Sequence, residues 1–162
     1  MRWPTHHVFG LGAALFFHLP PQGLALALLG SVLPDLLDQL WASLGSASQT
    51  ARQRAFAAIH RGSSHWLGLW LLPFLAEKYC PAWLLEAFCA LALGALSHLL
   101  LDALTPRGIP LLPFFSRPRL AIPLCRTGSA RELVFFLLCC LGLGLLLWRA
   151  WPEYLALLAG SL

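Results

Sequence analysis

AWLLEAFCALALGALSHLLLDAL, residues 82–104, decides the fold. A helix needs about 20 apolar residues to cross the hydrocarbon core of a bilayer, and this run is long enough. It also carries a histidine and an aspartate, His98 and Asp102, near its end. Four residues apart on a helix, the two stack on one face and can share a ligand. A carboxylate in a leucine-rich segment requires a partner.

The composition agrees with a membrane class. Of 162 residues, 59% are hydrophobic and 11% charged, with a mean hydropathy of +0.72. A soluble domain carries about 25% charged residues. The length is that of a single domain, 1–162, with no internal repeat or linker. A net charge of +4 and a pI near 9.1 raise the question of nucleic acid. There is no basic helix and no interleaving of aromatic with basic residues, so no nucleic-acid partner is expected.

The other apolar segments run over 7–18, 22–34, 66–76 and 132–148, with a short apolar tail at 154–162. Segments 66–76, 82–104 and 132–148 read as spans, whereas the first two are short. Leu19-Pro20-Pro21-Gln22-Gly23 reads as a turn that folds those two into a helical hairpin. No alternating ladder is present and β-branched residues are few, so the expected fold is all-α. It is a polytopic bundle of about four to six helices. Trp148, Trp151 and Tyr154 suggest an interfacial belt near the tail.

Two polar loops remain, 42–64 and 105–131. They contain Arg52, Arg54, Arg61, Arg107, Arg117, Arg119, Arg126 and Arg131; with Arg2 they place nine basic residues on one side if the segments alternate. Lys78 and Arg149 fall on the other. The bias puts the N-terminus and both loops in the cytoplasm. Arg2 before an apolar stretch could mimic a signal peptide, but Pro4, His6, His7 and His18 interrupt it, so the segment is expected to be retained. The five cysteines form no CxxC pair and read as small packing residues.

On this topology the polar residues gather at one end. His6 and His7 open the first segment, Asp35 and Asp38 close the second, His60 and His65 open the third, and His98 and Asp102 close the fourth. Asp35 and Asp38, three apart, can share a metal as His98 and Asp102 can. His60 and His65, five apart, would diverge by about 140° on one helix. The spacing therefore places His60 before the helix, with Gly62-Ser63-Ser64 as turn and cap and His65 in the first turn. His18 and His7 read as hydrogen-bonded interface residues. Clustered His and Asp without thiolate suit zinc, manganese or iron, and six or seven candidates exceed what one tetrahedral ion needs.

With these residues in view, the chain resembles the YdjM-like family of bacterial inner-membrane proteins, described as LexA-regulated metal-dependent hydrolases. The resemblance rests on Thr5-His6, LPDLLD at 33–38, HRGSSH at 60–65, SHLLLDALTPRGIPLLPF at 97–114 and RTGSARE at 126–132. That family is placed beside the zinc-dependent phospholipase C and P1-type nuclease group of all-α phosphoesterases. The resemblance implies His6, Asp35, His60, His65, His98 and Asp102 as ligands of one to three divalent ions. Many members read PDxDH; here the corresponding second position is Leu37 and the next acid is Asp38, whose role the motif leaves open. Ser64 stands where the usual residue is threonine.

The expected chemistry is hydrolysis of a phosphoester, phospholipid or lipid-linked, at the cytoplasmic membrane face. A metal would lower the pKa of a bound water to about 7. Asp35 or Asp38 would accept its proton, and Arg61 and Arg107 would grip phosphate bidentately. For Arg107, contact with lipid headgroups is an equal alternative. TPRGIPLLPF, 105–114, is expected to cap the site. A metal that only cross-links helix ends is the rival class. A transporter is disfavoured because the polar residues lie at one membrane end.

Overall fold

The computed structural model describes residues 1–45, 48–76, 78–113 and 118–160, the last four of these in main chain only. Arg117 and Phe114 lie outside the described residues. Seven α-helices carry the fold: α1 Trp3–Phe16, α2 Pro21–Gly30, α3 Leu33–Leu44, α4 Gln49–Ile59, α5 Leu67–Leu75, α6 Ala82–Ala103 and α7 Ala130–Gly160. A 3-10 turn, Ser63–His65, precedes α5. Between α6 and α7 two short antiparallel strands, β1 Ile109–Pro110 and β2 Arg119–Leu120, pair Ile109 with Leu120 and Pro110 with Arg119.

Among the described residues, two helices are long and apolar enough to cross a membrane, Ala82–Ala103 and Ala130–Ala156; α2 and α3 make a third candidate if their 49° bend is one broken span. The expected span at 66–76 is too short. As α5 it holds nine residues, about 14 Å at 1.5 Å per residue against a core of about 30 Å. Conversely, 132–148 and the tail as far as Gly160 are one helix, α7 continuing through Pro152, and 161–162 lie outside the described residues. Near its end the Tyr154 hydroxyl donates to the Leu19 carbonyl at 2.6 Å, tying α7 to the α1–α2 turn.

The loop at 42–64 is mostly helix. QTARQRAFAAI is built from strong helix formers, and Ser48 caps α4 by accepting from the Ala51 amide at 3.2 Å. Asp35 and Asp38 also differ from expectation. They do not close the second segment. α2 ends at Gly30, and α3 starts afresh with Pro34 in its first turn, where the missing N–H costs nothing. Asp35 thus sits at a helix N-terminus, the end whose dipole favours a carboxylate.

α1, α2, α5 and α6 pack around one another, α6 at the centre. The α2–α6 contact is closer than ordinary side chains allow. A Cβ on Gly30 would lie 2.0 Å from the Leu91 carbonyl oxygen, and one on Gly94 would lie 2.0 Å from that of Ala27. Small residues permit this approach between apolar helices. It brings the Ser31 carbonyl onto α6 at His98. Trp70, Ala95, Leu99, Ala103 and Ile109 form the apolar core directly beneath. α7 packs on α1 and leaves Leu133, Leu137, Leu138, Leu141 and Leu145 exposed. On α3, Asp35 and Asp38 face inward, while Leu37, Leu40, Trp41 and Leu44 face outward.

Candidate metal centre

The helices deliver their polar side chains to one buried cluster. α1 brings His6, α3 brings Asp35 and Asp38, the end of α4 brings His60, the 3-10 turn brings His65, and α6 brings His98 and Asp102. His65 therefore precedes α5 instead of sitting in its first turn. The chain reverses at Arg61, whose φ of 63° is left-handed, a conformation uncommon for any residue with a Cβ. That reversal lets His60 and His65 face the same volume, with ring centroids 5.3 Å apart.

Counting donors shows what the cluster lacks. His98 Nδ1 lies 2.7 Å from the Ser31 carbonyl oxygen, which can only accept, so the ring's proton is on Nδ1. Ser64 Oγ donates to Asp38 Oδ1 at 2.5 Å and must accept from His65 Nδ1 at 2.9 Å. When both rings are neutral, Nε2 is the nitrogen that carries the lone pair in each, and the two Nε2 atoms face each other at 3.3 Å. The carboxylates are divided in the same way. Asp35 Oδ2 accepts from Trp3 Nε1 at 2.9 Å, leaving Oδ1 buried with no hydrogen-bond partner. Asp102 Oδ1 takes Arg61 Nη2 at 2.7 Å and the main-chain nitrogen of Met1 at 3.1 Å, leaving Oδ2 to face inward.

Four acceptors thus converge: His65 Nε2, His98 Nε2, Asp35 Oδ1 and Asp102 Oδ2. His65 Nε2 is 3.4 Å from Asp35 Oδ1 and 3.5 Å from Asp102 Oδ2. His98 Nε2 is 3.6 Å from each. These separations exceed the 2.7–3.2 Å of good hydrogen bonds. They match the edges of a tetrahedron, about 3.4 Å, whose corners lie about 2.1 Å from a central ion. Carboxylates buried against imidazoles favour a cation, and the His/Asp cluster could hold a metal ion. The wider set falls into two triads, His6 with His98 and Asp102, and Asp35 with His60 and His65. His6 stacks on His98 at 3.8 Å, and its Nδ1 is also buried without a partner.

Asp38 is differently placed. Besides Ser64 it accepts from the Arg61 amide at 3.1 Å and lies 3.3 Å from His60 Nδ1. Its oxygens hold the HRGSSH turn, and it belongs to neither triad. His7 bonds Ser31 Oγ at 3.1 Å at the α1–α2 interface. His18 lies at the far end, 3.6 Å from Glu153.

The sequence of this chain matches a known family. The profile of the YdjM inner membrane protein family matches residues 1–162. The chain belongs to that family. It is 32% identical over 147 residues to the inner membrane protein YdjM of Escherichia coli (strain K12), covering 86% of this chain and 68% of that protein. The figures for inner membrane protein YdjM of Shigella flexneri are the same. No solved structure matches. This member of the YdjM family is therefore a membrane protein with a buried His/Asp cluster able to hold a metal.

Electrostatics in the YdjM fold keep the cluster's loop residues in the required states. Burial pulls the His65 imidazole below its ordinary pKa, opposed by the Asp35 carboxylate, which keeps the ring neutral and its lone pair available. Burial also lowers Arg61, helped by Arg107 and Arg119, while Asp102 and Asp35 hold its charge. Arg61 Nη1 donates to Thr105 Oγ1 at 2.7 Å. Arg119 Nη2 donates to the carbonyls of Arg61 at 3.1 Å and Gly108 at 3.3 Å, clamping the β1–β2 hairpin over the HRGSSH turn. Trp3, Ser31, Thr105 and Arg119 were not foreseen from sequence. Ser31 acts through its carbonyl, which leaves no residue-type signal.

Proposed function

We propose that this YdjM-family protein is a metal-dependent hydrolase of phosphoesters, multi-pass in the bacterial inner membrane, with its N-terminus and cluster at the cytoplasmic face. The carrying observation is the convergence of two imidazole nitrogens and two carboxylate oxygens in one buried cluster, with contacts of 3.3–3.6 Å between them. His65, His98, Asp35 and Asp102 would hold a divalent ion, with His6 and His60 extending the set toward two or three. Histidine and carboxylate donors suit zinc, with manganese or iron as the other candidates. Bound there, such an ion supplies Lewis acidity and a water acidic enough to ionise near pH 7.

The chain's own groups have distinct roles. Arg61, fixed on Asp102 and Thr105, holds positive charge against the cluster and favours an incoming phosphate. Arg107 adds a second guanidinium at the rim. Asp35 and Asp38 are the two candidate acceptors for a proton from water, whichever is not committed to the ion. Asp38 positions His60 and the Arg61 main chain. The arginine bias of the loops supports the cytoplasmic assignment. Resemblance to the phospholipase C and P1-type nuclease group supports the reaction class, and a membrane lipid phosphoester is the proposed substrate.

Metal content of detergent-purified protein, by elemental mass spectrometry, tests this against His98→Ala plus Asp102→Ala. Stoichiometric metal in the wild type, lost in the variant, followed by metal-dependent cleavage of a phosphoester panel, is the expected result. No metal after reconstitution with each ion overturns the reading. Metal without cleavage leaves the ion a structural role only.

A further inference from the structure

Beside the cluster lies a space that the hydrolytic reading uses only at its rim. A cavity of about 570 Å³ opens next to the metal centre, lined among others by His60, Arg61, Thr105, Arg107, Arg126 and Thr127. Arg126 also lines an adjoining cavity of about 620 Å³, together with Ser129, Arg131, Pro123 and Leu124 at the start of α7. The two form a trough leading away from the cluster, with arginines along it. No carboxylate lines either cavity among the described residues.

The arginines differ in how they are used. Arg61 is buried and committed to Asp102 and Thr105. Arg107 and Arg126 are exposed in the trough, and among the described residues neither guanidinium has a hydrogen bond or ion pair. Arg107 is close enough to disfavour the charge on Arg61. Like charges gathered in a concave site repel unless an anion joins them, and a cleft lined by one sign concentrates ligands of the other. A water takes about 30 Å³ of liquid volume, so this space exceeds what one phosphate needs.

Building on the hydrolase reading, we propose that Arg107 and Arg126 form a subsite for a second phosphate group, making the substrate a diphosphate ester. One phosphate sits at the His/Asp cluster beside Arg61; the next sits between Arg107 and Arg126, where guanidinium forks match its oxygens. Pro123 and Leu124 offer an apolar exit for the esterified group toward α7. In the cleavage, the oxygen of water bonds to the phosphorus at the cluster and the bridging P–O bond breaks. The electron pair leaves on the phosphate gripped by the arginines, and the proton of water passes to solvent. The products are two monophosphates.

Binding of inorganic pyrophosphate and of inorganic phosphate is measured by calorimetry on the full chain in neutral detergent, before and after chelation. Variants are Arg107→Ala, Arg126→Ala and, as control, Arg54→Ala on α4. The expected result is pyrophosphate preferred about tenfold or more in the wild type and the control, and that preference lost in either subsite variant, since a charge-assisted hydrogen bond contributes about 1.5–3 kcal/mol. Chelation weakens both anions together if the metal reading holds, and leaves both unchanged if it fails; the arginine-dependent preference is read separately. Equal binding of the two anions, or a preference that survives Arg126→Ala, overturns the subsite. So does loss of the preference when phosphatidylcholine nanodiscs are given phosphatidylglycerol, because the arginines would then be holding bilayer headgroups.

Discussion

His65 Nε2 and His98 Nε2 face each other at 3.3 Å, each with its proton committed to the opposite side of the ring. With both rings neutral, two lone pairs at that distance repel, and a cation held between them removes that cost. Any ligand that binds the folded chain alone adds stability, about 4 kcal/mol at a thousandfold excess over Kd. Chelation is expected to lower the thermal midpoint of the purified protein by several degrees. His65→Ala removes that difference, and a differential scan with and without chelator checks it.

Ser64 holds Asp38 and His65 in one chain of hydrogen bonds. Groups that orient a metal ligand typically contribute 10–100-fold to affinity. Ser64→Ala is expected to weaken metal binding by about that factor while the fold persists. Ser64→Thr, which keeps the hydroxyl, retains most of it. Competition titration with a chromophoric chelator reads both.

Removing one partner of the Arg61–Asp102 pair leaves a charge buried. Such losses cost about 3–5 kcal/mol, and Asp102 is only 1% exposed. Arg61→Ala is expected to unfold at markedly lower temperature than wild type. Arg61→Lys keeps the charge but cannot reach Thr105 and Asp102 as a fork, so it falls between. Thermal melts of the three proteins in one detergent order them.

Gly94 has no room for a side chain against the Ala27 carbonyl. Gly94→Val must part α2 from α6, and with them Ser31 from His98. The expected outcome is loss of metal together with loss of a cooperative melt. Gly142→Val on α7, where a Cβ meets nothing within 4 Å, leaves both intact.

Much of the cluster is legible in sequence because helix spacing is periodic. His98 and Asp102 lie four apart in an apolar run and must share a face; the His60–His65 spacing demands a break, and the chain supplies one at Arg61. What escaped reading is non-periodic. Apolar continuity from 22 to 34 hides the end of α2 at Gly30, although Pro34 is a start signal for α3. Polarity at 42–64 suggests a loop, yet alanines, glutamines and arginines favour a solvated helix. Pro152 suggests a break, but neighbouring turns carry α7 past it. Main-chain acceptors such as the Ser31 carbonyl depend on how closely helices approach, which two glycines decide.

α3 has carboxylates on one face and Leu37, Leu40, Trp41 and Leu44 on the other. The same rigid rod that presents Asp35 to the cluster thus rests, from behind, on whatever apolar medium surrounds the protein. What Trp41 rests on and where Asp35 sits are therefore linked through one short helix, and the site's geometry and the protein's outer surface are two faces of the same element.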